Sequence, residues 1–359
     1  MELTTVWFII IAFLWTSYFF LEGFDFGVGM LLPVLGRSDV ERRVVINTIG
    51  PVWDANEVWF IVAGAAMFAA FPEWYATLFS GFYLPLLAIL LSLIVRGVAF
   101  EYRGKRDDAR WRSRWDKAIF WGSLVPAFLW GVAFANIVRG VPLDADHEYA
   151  GTLADLFNPY ALLGGLTTMI LFVLHGAVFL ALKTSGDIRV RARFIASVAA
   201  IAAIAAGGGF LLITQLDHGK PVTWLTAGGA AIGLAVAAVA NRRGREGWAF
   251  IGTGAAIVLA VATLFTSLFP DVMPSTLDAA GTLTTDNASS TPYTLKIMTW
   301  VAAVFTPIVM IYQGWTYWVF RKRIGTSHIP ATARDDRKPL NPPDSPPSPP
   351  NARPTEPVR

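Results

Sequence analysis

Nine stretches of the chain stay apolar for close to the roughly 20 residues that a helix needs to cross a hydrocarbon core. They are residues 7–33, 52–71, 76–100, 118–139, 159–182, 194–214, 222–240, 247–269 and 295–320. The pattern predicts an all-α integral membrane protein. The second stretch is the weakest, because Asp54, Asn56 and Glu57 interrupt its start. Losing it would reverse half the topology, and the basic residues arbitrate. Arg37, Arg42 and Arg43 follow the first stretch, Arg103 to Lys117 the third, Lys183 to Arg193 the fifth and Arg242 to Arg245 the seventh. The opposite loops hold only Arg139, Lys220 and Lys296. Because Lys and Arg collect on the cytoplasmic side, nine spans segregate the charge and eight would scramble it. The N-terminus is expected outside and the C-terminus in the cytoplasm, where Arg321, Lys322 and Arg323 close the last span.

Composition agrees: 54% of residues are hydrophobic and only 15% charged, and the mean hydropathy is +0.50, off the balance of a soluble domain. The net charge of +3 then reports topology and phospholipid contact, with no nucleic acid as partner. The first stretch lacks a basic n-region and a small-residue cleavage site, so it is expected to stay as a helix. Cysteine is absent, which excludes disulfides and thiolate ligation of haem or iron-sulfur clusters. Residues 1–322 form the expected transmembrane domain. Residues 323–359 form the expected disordered, Pro-rich cytoplasmic tail; past Ile329 it has too little apolar surface to repay ordering. The outer segment 270–296 reads as a partly ordered cap. Trp74, Trp115, Trp224 and Trp248 fall at span ends, as interfacial belts require, whereas Trp53 and Trp59 flank the polar segment of the second stretch.

The chemistry is concentrated in the first three spans. Glu22 and Asp25 are three residues apart and share a helix face, Asp54 and Glu57 repeat that spacing, and the third span carries Arg96 and then Glu101. Charges at such depth are expensive, so they have pairing or functional roles. Two readings stay open. In one, Arg96 neutralises a carboxylate in an ion-pair lattice; in the other, the carboxylates form a proton relay. Histidine narrows the options, since His175 is the only one of four inside a span. It reads as a hydrogen-bonded core residue rather than a haem ligand, and no metal site is expected on this chain.

Several strings resemble a known family. Gly23-Phe24-Asp25-Phe26-Gly27-Val28-Gly29-Met30-Leu31, Glu41-Arg42-Arg43 and Gly50-Pro51-Val52-Trp53-Asp54-Ala55-Asn56-Glu57-Val58-Trp59 are similar to subunit II of the cytochrome bd quinol oxidases. So are Phe79-Ser80-Gly81-Phe82-Tyr83, Arg96-Gly97-Val98-Ala99-Phe100-Glu101-Tyr102-Arg103, Gly131-Val132-Ala133-Phe134-Ala135-Asn136 and Phe269-Pro270-Asp271-Val272-Met273-Pro274-Ser275. The resemblance covers residues 5–322 in order and excludes the Pro-rich tail.

The resemblance implies a haem-free subunit of a prokaryotic plasma-membrane terminal oxidase that oxidises quinol and reduces dioxygen to water. It implies two four-helix bundles plus a ninth, peripheral helix. The partner, subunit I, would carry haem b and haem d and the quinol-oxidising site. Small accessory subunits and a quinone on this chain, at a site the sequence does not locate, are compatible with it. By resemblance, Asp54 belongs to a cytoplasmic proton route and Trp59 lies near an oxygen entry; the depth and charge of Asp25, Glu57 and Arg96 make them the expected source of that route's field. A proton-coupled secondary transporter or a purely structural scaffold subunit are the competing readings of the residues alone.

Overall fold

In a computed structural model that describes residues 2–329, the apolar stretches become helices that gather around the first of them. The helices are α1 (Leu3–Leu35), α2 (Asp39–Ile49), α3 (Trp53–Ala70), α4 (Pro72–Gly81), α5 (Tyr83–Tyr102), α6 (Ala109–Arg139), α7 (Pro159–Lys183), α8 (Asp187–His218), α9 (Thr223–Arg242), α10 (Glu246–Leu268) and α11 (Pro292–Val319). Among the described residues, eight are long and apolar enough to cross a membrane: α1, α5, α6, α7, α8, α9, α10 and α11. The 18-residue α3 falls short because Asp54, Asn56 and Glu57 occupy its first turns.

Two elements depart from the apolar pattern. The loop after α1 contains α2, a short polar helix whose N-terminus is capped by the Ser38 side chain accepting from the Glu41 N–H. The stretch 76–100 is broken at Phe82, so that α4 is a separate helix started by Pro72 and Gly81 lies against Tyr149.

Small residues set how closely the helices approach. A Cβ on Gly27 of α1 would collide with the Phe172 carbonyl of α7 and sit 2.8 Å from the Gly176 Cα. Gly131 of α6 meets Gly164 of α7, and Gly233 of α9 meets Gly252 of α10, in the same way. With lipid outside, helices gain little from burying apolar surface and rely on such close packing. As a result α1 packs on α3, α6, α7 and α10, α5 lies on α6, and α8 and α9 close the far side against α7 and α10. By contrast, α11 touches α1 and α3 lightly, and Leu295 is its buried residue.

Ion pairs tie the Arg-rich ends. Asp116 accepts from Arg42 and Arg103, and Asp39 from Arg103 and Arg112. In the other half Glu246 receives Arg189, Arg193 and Arg323. Glu41 of α2 pairs with Arg191 of α8 across the two halves, while Glu101 is exposed. Residues 323–329, assigned to the tail from sequence, are docked: the Ile324 N–H donates to the Lys183 carbonyl and the Ser185 N–H to the Ile324 carbonyl. The Pro-rich part of the tail lies outside the described residues. At the opposite end, the segments 140–158 and 269–291 interlock, with a two-strand ribbon β1 (Asp271–Met273) and β2 (Leu283–Thr284) and a bridge between Val141 and Ser275.

Candidate functional site

The buried charges meet where α1, α3 and α5 come together. Glu22 and Asp25 are fully buried on the segment of α1 that is enclosed on all sides, residues 21–32. Arg96 of α5 is also fully buried and forms an ion pair with Glu22. Its guanidinium lies 4.8 Å from the Phe26 ring centroid and 5.4 Å from that of Phe100, a position from which an aromatic face attracts a cation. Gly122 of α6 makes the room, since a Cβ there would come 2.7 Å from the Arg96 Cβ.

Asp25 is held differently. Its Oδ2 accepts from the Asn56 side-chain amide at 2.7 Å. The Asn56 carbonyl oxygen in turn accepts from the Tyr317 hydroxyl at 2.7 Å and the Gln313 amide at 3.0 Å, both on α11. Glu57 is half-buried, and the charges of Glu22, Arg96 and Asp54 act on it. Asp54 lies exposed one turn earlier on α3. Five polar atoms around this point have no hydrogen-bond partner among the described residues: Glu22 Oε2, Asp25 Oδ1, Glu57 Oε2, and Nε and Nη2 of Arg96. Buried polar atoms of this kind are where proteins commonly retain ordered water.

The structure therefore brings four residues singled out in the sequence, Glu22, Asp25, Glu57 and Arg96, into one cluster and leaves Asp54 at its exposed edge. Trp59 is buried and packs edge-on against Phe13, with ring centroids 6.1 Å apart. His175 stacks on Phe250 at 4.6 Å, its Nδ1 is 2.7 Å from the Thr253 hydroxyl and its Nε2 is 3.2 Å from the Phe20 carbonyl oxygen. Both ring nitrogens are thereby engaged within the core. Gln313 and Tyr317 were not singled out from sequence, and Asn56 was marked there only as a polar interruption of the second stretch. The available signal was Gln313, an amide inside the apolar run of the last span, with Tyr317 one turn on.

Two cavities lie in the helical body. One of about 450 Å³ is lined by Phe20, Phe24, Phe250 and Tyr317, with Lys183 and Arg321 among its polar walls. Another, of about 370 Å³, is almost wholly apolar and lies among α6 to α10, beside Leu171, Leu234 and Ile257.

The family described as cytochrome bd terminal oxidase subunit II matches residues 3–320. The chain belongs to that family. It is 46% identical over 332 residues to the cytochrome bd ubiquinol oxidase subunit 2 of Bacillus subtilis (strain 168), covering 90% of this chain and 97% of that relative. It is 37% identical over 363 residues to the cytochrome bd-I ubiquinol oxidase subunit 2 of Escherichia coli (strain K12), covering 90% and 96%. The fold is also that of a chain in the solved bd oxidase from Geobacillus thermodenitrificans, with a TM-score of 0.72 at 16% identity, covering 90% of this chain and 100% of that one. The protein is thus a multi-pass membrane subunit of a respiratory oxidase.

Proposed function

We propose that this chain is the haem-free subunit of a cytochrome bd-type terminal oxidase and supplies part of the path by which cytoplasmic protons reach the oxygen-reducing centre. The enzyme oxidises quinol and reduces dioxygen to water. The haem-bearing subunit I, with haem b and haem d, carries the electron chemistry and the quinol-oxidising site. The complex lies in a prokaryotic plasma membrane. Nine helices cross it, α1, α3 and α5 to α11, in two four-helix bundles with α11 at the periphery. The N-terminus is outside and the Arg-rich ends face the cytoplasm.

The observation that carries this reading is the surplus of carboxylates over cations in the cluster. Among the described residues Arg96 forms its ion pair with Glu22, which leaves Asp25, Glu57 and Asp54 as groups that can take up and release protons. Their order supports a direction. Asp54 is exposed at the first turn of α3, Glu57 is half-buried, and Asp25 is fully enclosed. A proton entering at Asp54 passes to Glu57 and then to the unpaired oxygen of Asp25, through ordered water. Arg96 holds the local field and keeps the neighbouring carboxylates from repelling one another. Because quinol releases its protons outside while water formation consumes protons from inside, the reaction separates charge without a pump. Trp59 is assigned to an oxygen route only by resemblance, and its packing against Phe13 suits a wall. The apolar cavity among α6 to α10 has the lining of an isoprenoid site, where a quinone would be structural.

Asp54→Asn tests the path. In the assembled complex we expect turnover with saturating quinol to fall roughly tenfold, an added barrier of about 1.4 kcal/mol, with the haem absorption spectrum unchanged. Full turnover would remove Asp54 from the path. The scaffold reading is favoured by one feature, the Glu22–Arg96 pair. Normal turnover in both Asp54→Asn and Asp25→Asn would establish it instead.

A further inference from the structure

Asn56 joins the carboxylate cluster to α11, and its amide is bonded at both ends. The nitrogen donates to Asp25 Oδ2, and the carbonyl oxygen accepts from Tyr317 and Gln313. A carboxylate only accepts, so the amide nitrogen faces Asp25, and the Tyr317 hydroxyl and Gln313 amide, each able to donate, bond the oxygen on the far side and hold the amide in place. A carboxamide is also a poor proton carrier, since neither its nitrogen nor its oxygen binds a proton near neutral pH. The chain of bonds from α11 therefore orients Asp25 and does not feed it. Only the other oxygen, Oδ1, which has no partner among the described residues, is left open for proton exchange.

We propose that Tyr317 and Gln313 are positioning residues for proton transfer: they lock the Asn56 amide so that it occupies one oxygen of Asp25 and leaves the other to the path. This rests on the proton-path reading of Asp25. The position of α11 supports it. That helix buries little apolar surface, so its polar contacts decide where it sits. Two of them point at the single buried amide that touches Asp25. The remaining ties lie elsewhere. The Trp7 indole donates to the Leu295 carbonyl and the Thr299 hydroxyl, roughly 27–33 Å along the helix from Tyr317 at 1.5 Å per residue. Lys183 and Arg323 hold the segment joining the other end to α7. The charged groups facing Asp25 are Glu22 on its own helix, Glu57 on α3 and Arg96 on α5, and the variants below retain all of them.

The test compares the wild-type oxidase complex with Tyr317→Phe, the double variant Tyr317→Phe/Gln313→Leu, Asp25→Asn and Trp7→Phe. Quinol-dependent oxygen consumption is measured across pH. The carboxyl infrared band that disappears in Asp25→Asn is followed in the others, and haem absorbance reports assembly. The double variant is expected to lose roughly threefold to tenfold in kcat, the span set by one buried hydrogen bond, at unchanged KM for quinol. Its pH profile should move by roughly half a unit or more, and the Asp25 band should shift. Trp7→Phe, which loosens α11 far from Asn56, should move neither. Tyr317→Phe deletes a single hydroxyl and gives the same readings, smaller, where the double variant fails to assemble. An unmoved profile and band in the Tyr317 variants, with Asp25→Asn impaired, overturns the positioning role alone. Equal displacement by Trp7→Phe overturns it in favour of anchoring. Full turnover in Asp25→Asn overturns the proton path and this inference with it.

Discussion

Arg96 shows how one residue makes buried charge tolerable. A charge at the centre of a membrane helix costs about 2.5–3.5 kcal/mol on an insertion scale. Here the guanidinium is matched by Glu22 and covered by two aromatic faces, and Gly122 leaves space for it. The pairing of Arg96 with a carboxylate was one of two readings the sequence offered, and the choice of Glu22 over Asp25 or Glu57 was not legible, since it depends on the rotation of α1 against α5. At the Arg-rich end Glu41 gives a titratable contrast. Partial burial opposes its charge, but the Arg191 guanidinium and the Arg37 N–H outweigh that and hold the carboxyl below the usual carboxylate range. A lowered value in the folded state means that the stabilisation is present above the unfolded value, about 4.3, and is lost as pH falls through the folded one. Glu41→Gln should therefore lower stability near pH 7 by about 0.5–1 kcal/mol, as expected for an ion pair of this kind. The difference should vanish toward pH 3. Thermal unfolding of the complex at graded pH reads this, and a gap that does not depend on pH would exclude the ionised pair as its source.

Among the elements, α3 carries the conflict between solvent and function. Its first turns hold the polar residues of the site, and they cost it the hydropathy expected of a span. The tight crossings compensate by packing. Gly27 and Gly176 bring α1 and α7 together so closely that a side chain on either would meet backbone. Gly27→Ala should lower the unfolding temperature of the complex and its yield of bound haem, at a cost of about 2 kcal/mol or more, because backbone cannot move aside as a side chain can. Gly208→Ala on α8 is the matched control, since a Cβ there meets nothing within 4 Å. It should be neutral or stabilising by the helix preference for alanine over glycine. Equal losses in the two variants would show that the crossing is not what matters. The break between α4 and α5 belongs to this scale too. The stretch 76–100 reads as continuous, and only the contact of Gly81 with Tyr149 from the 140–158 segment shows why the chain turns there.

For the whole molecule, the proposed orientation makes a direct forecast because the chain has no cysteine of its own. Single cysteines at the exposed positions Asn47 and Lys105 should react with an impermeant thiol reagent only from the cytoplasmic side. Those at Glu73 and Ala279, also exposed, should react only from outside. Asn47 and Glu73 bracket α3, so labelling of both from one side would mean that α3 does not cross. The sequence by itself determined the membrane as solvent, the helical stretches and the family. Each of these follows from local composition or from contiguous strings, such as the one running from Gly50 to Trp59. It also marked Asp25, Asp54, Glu57 and Arg96, because a charge in an apolar run is conspicuous at any fold. Only the tertiary structure decided that Arg96 pairs with Glu22, that Asp54 stands at the rim, and that Gln313 and Tyr317 reach Asn56 across 257 and 261 positions. The physical reason is that hydropathy records depth along a helix and says nothing of its rotation about its own axis. That rotation is set by glycine contacts and polar bonds between helices distant in the chain.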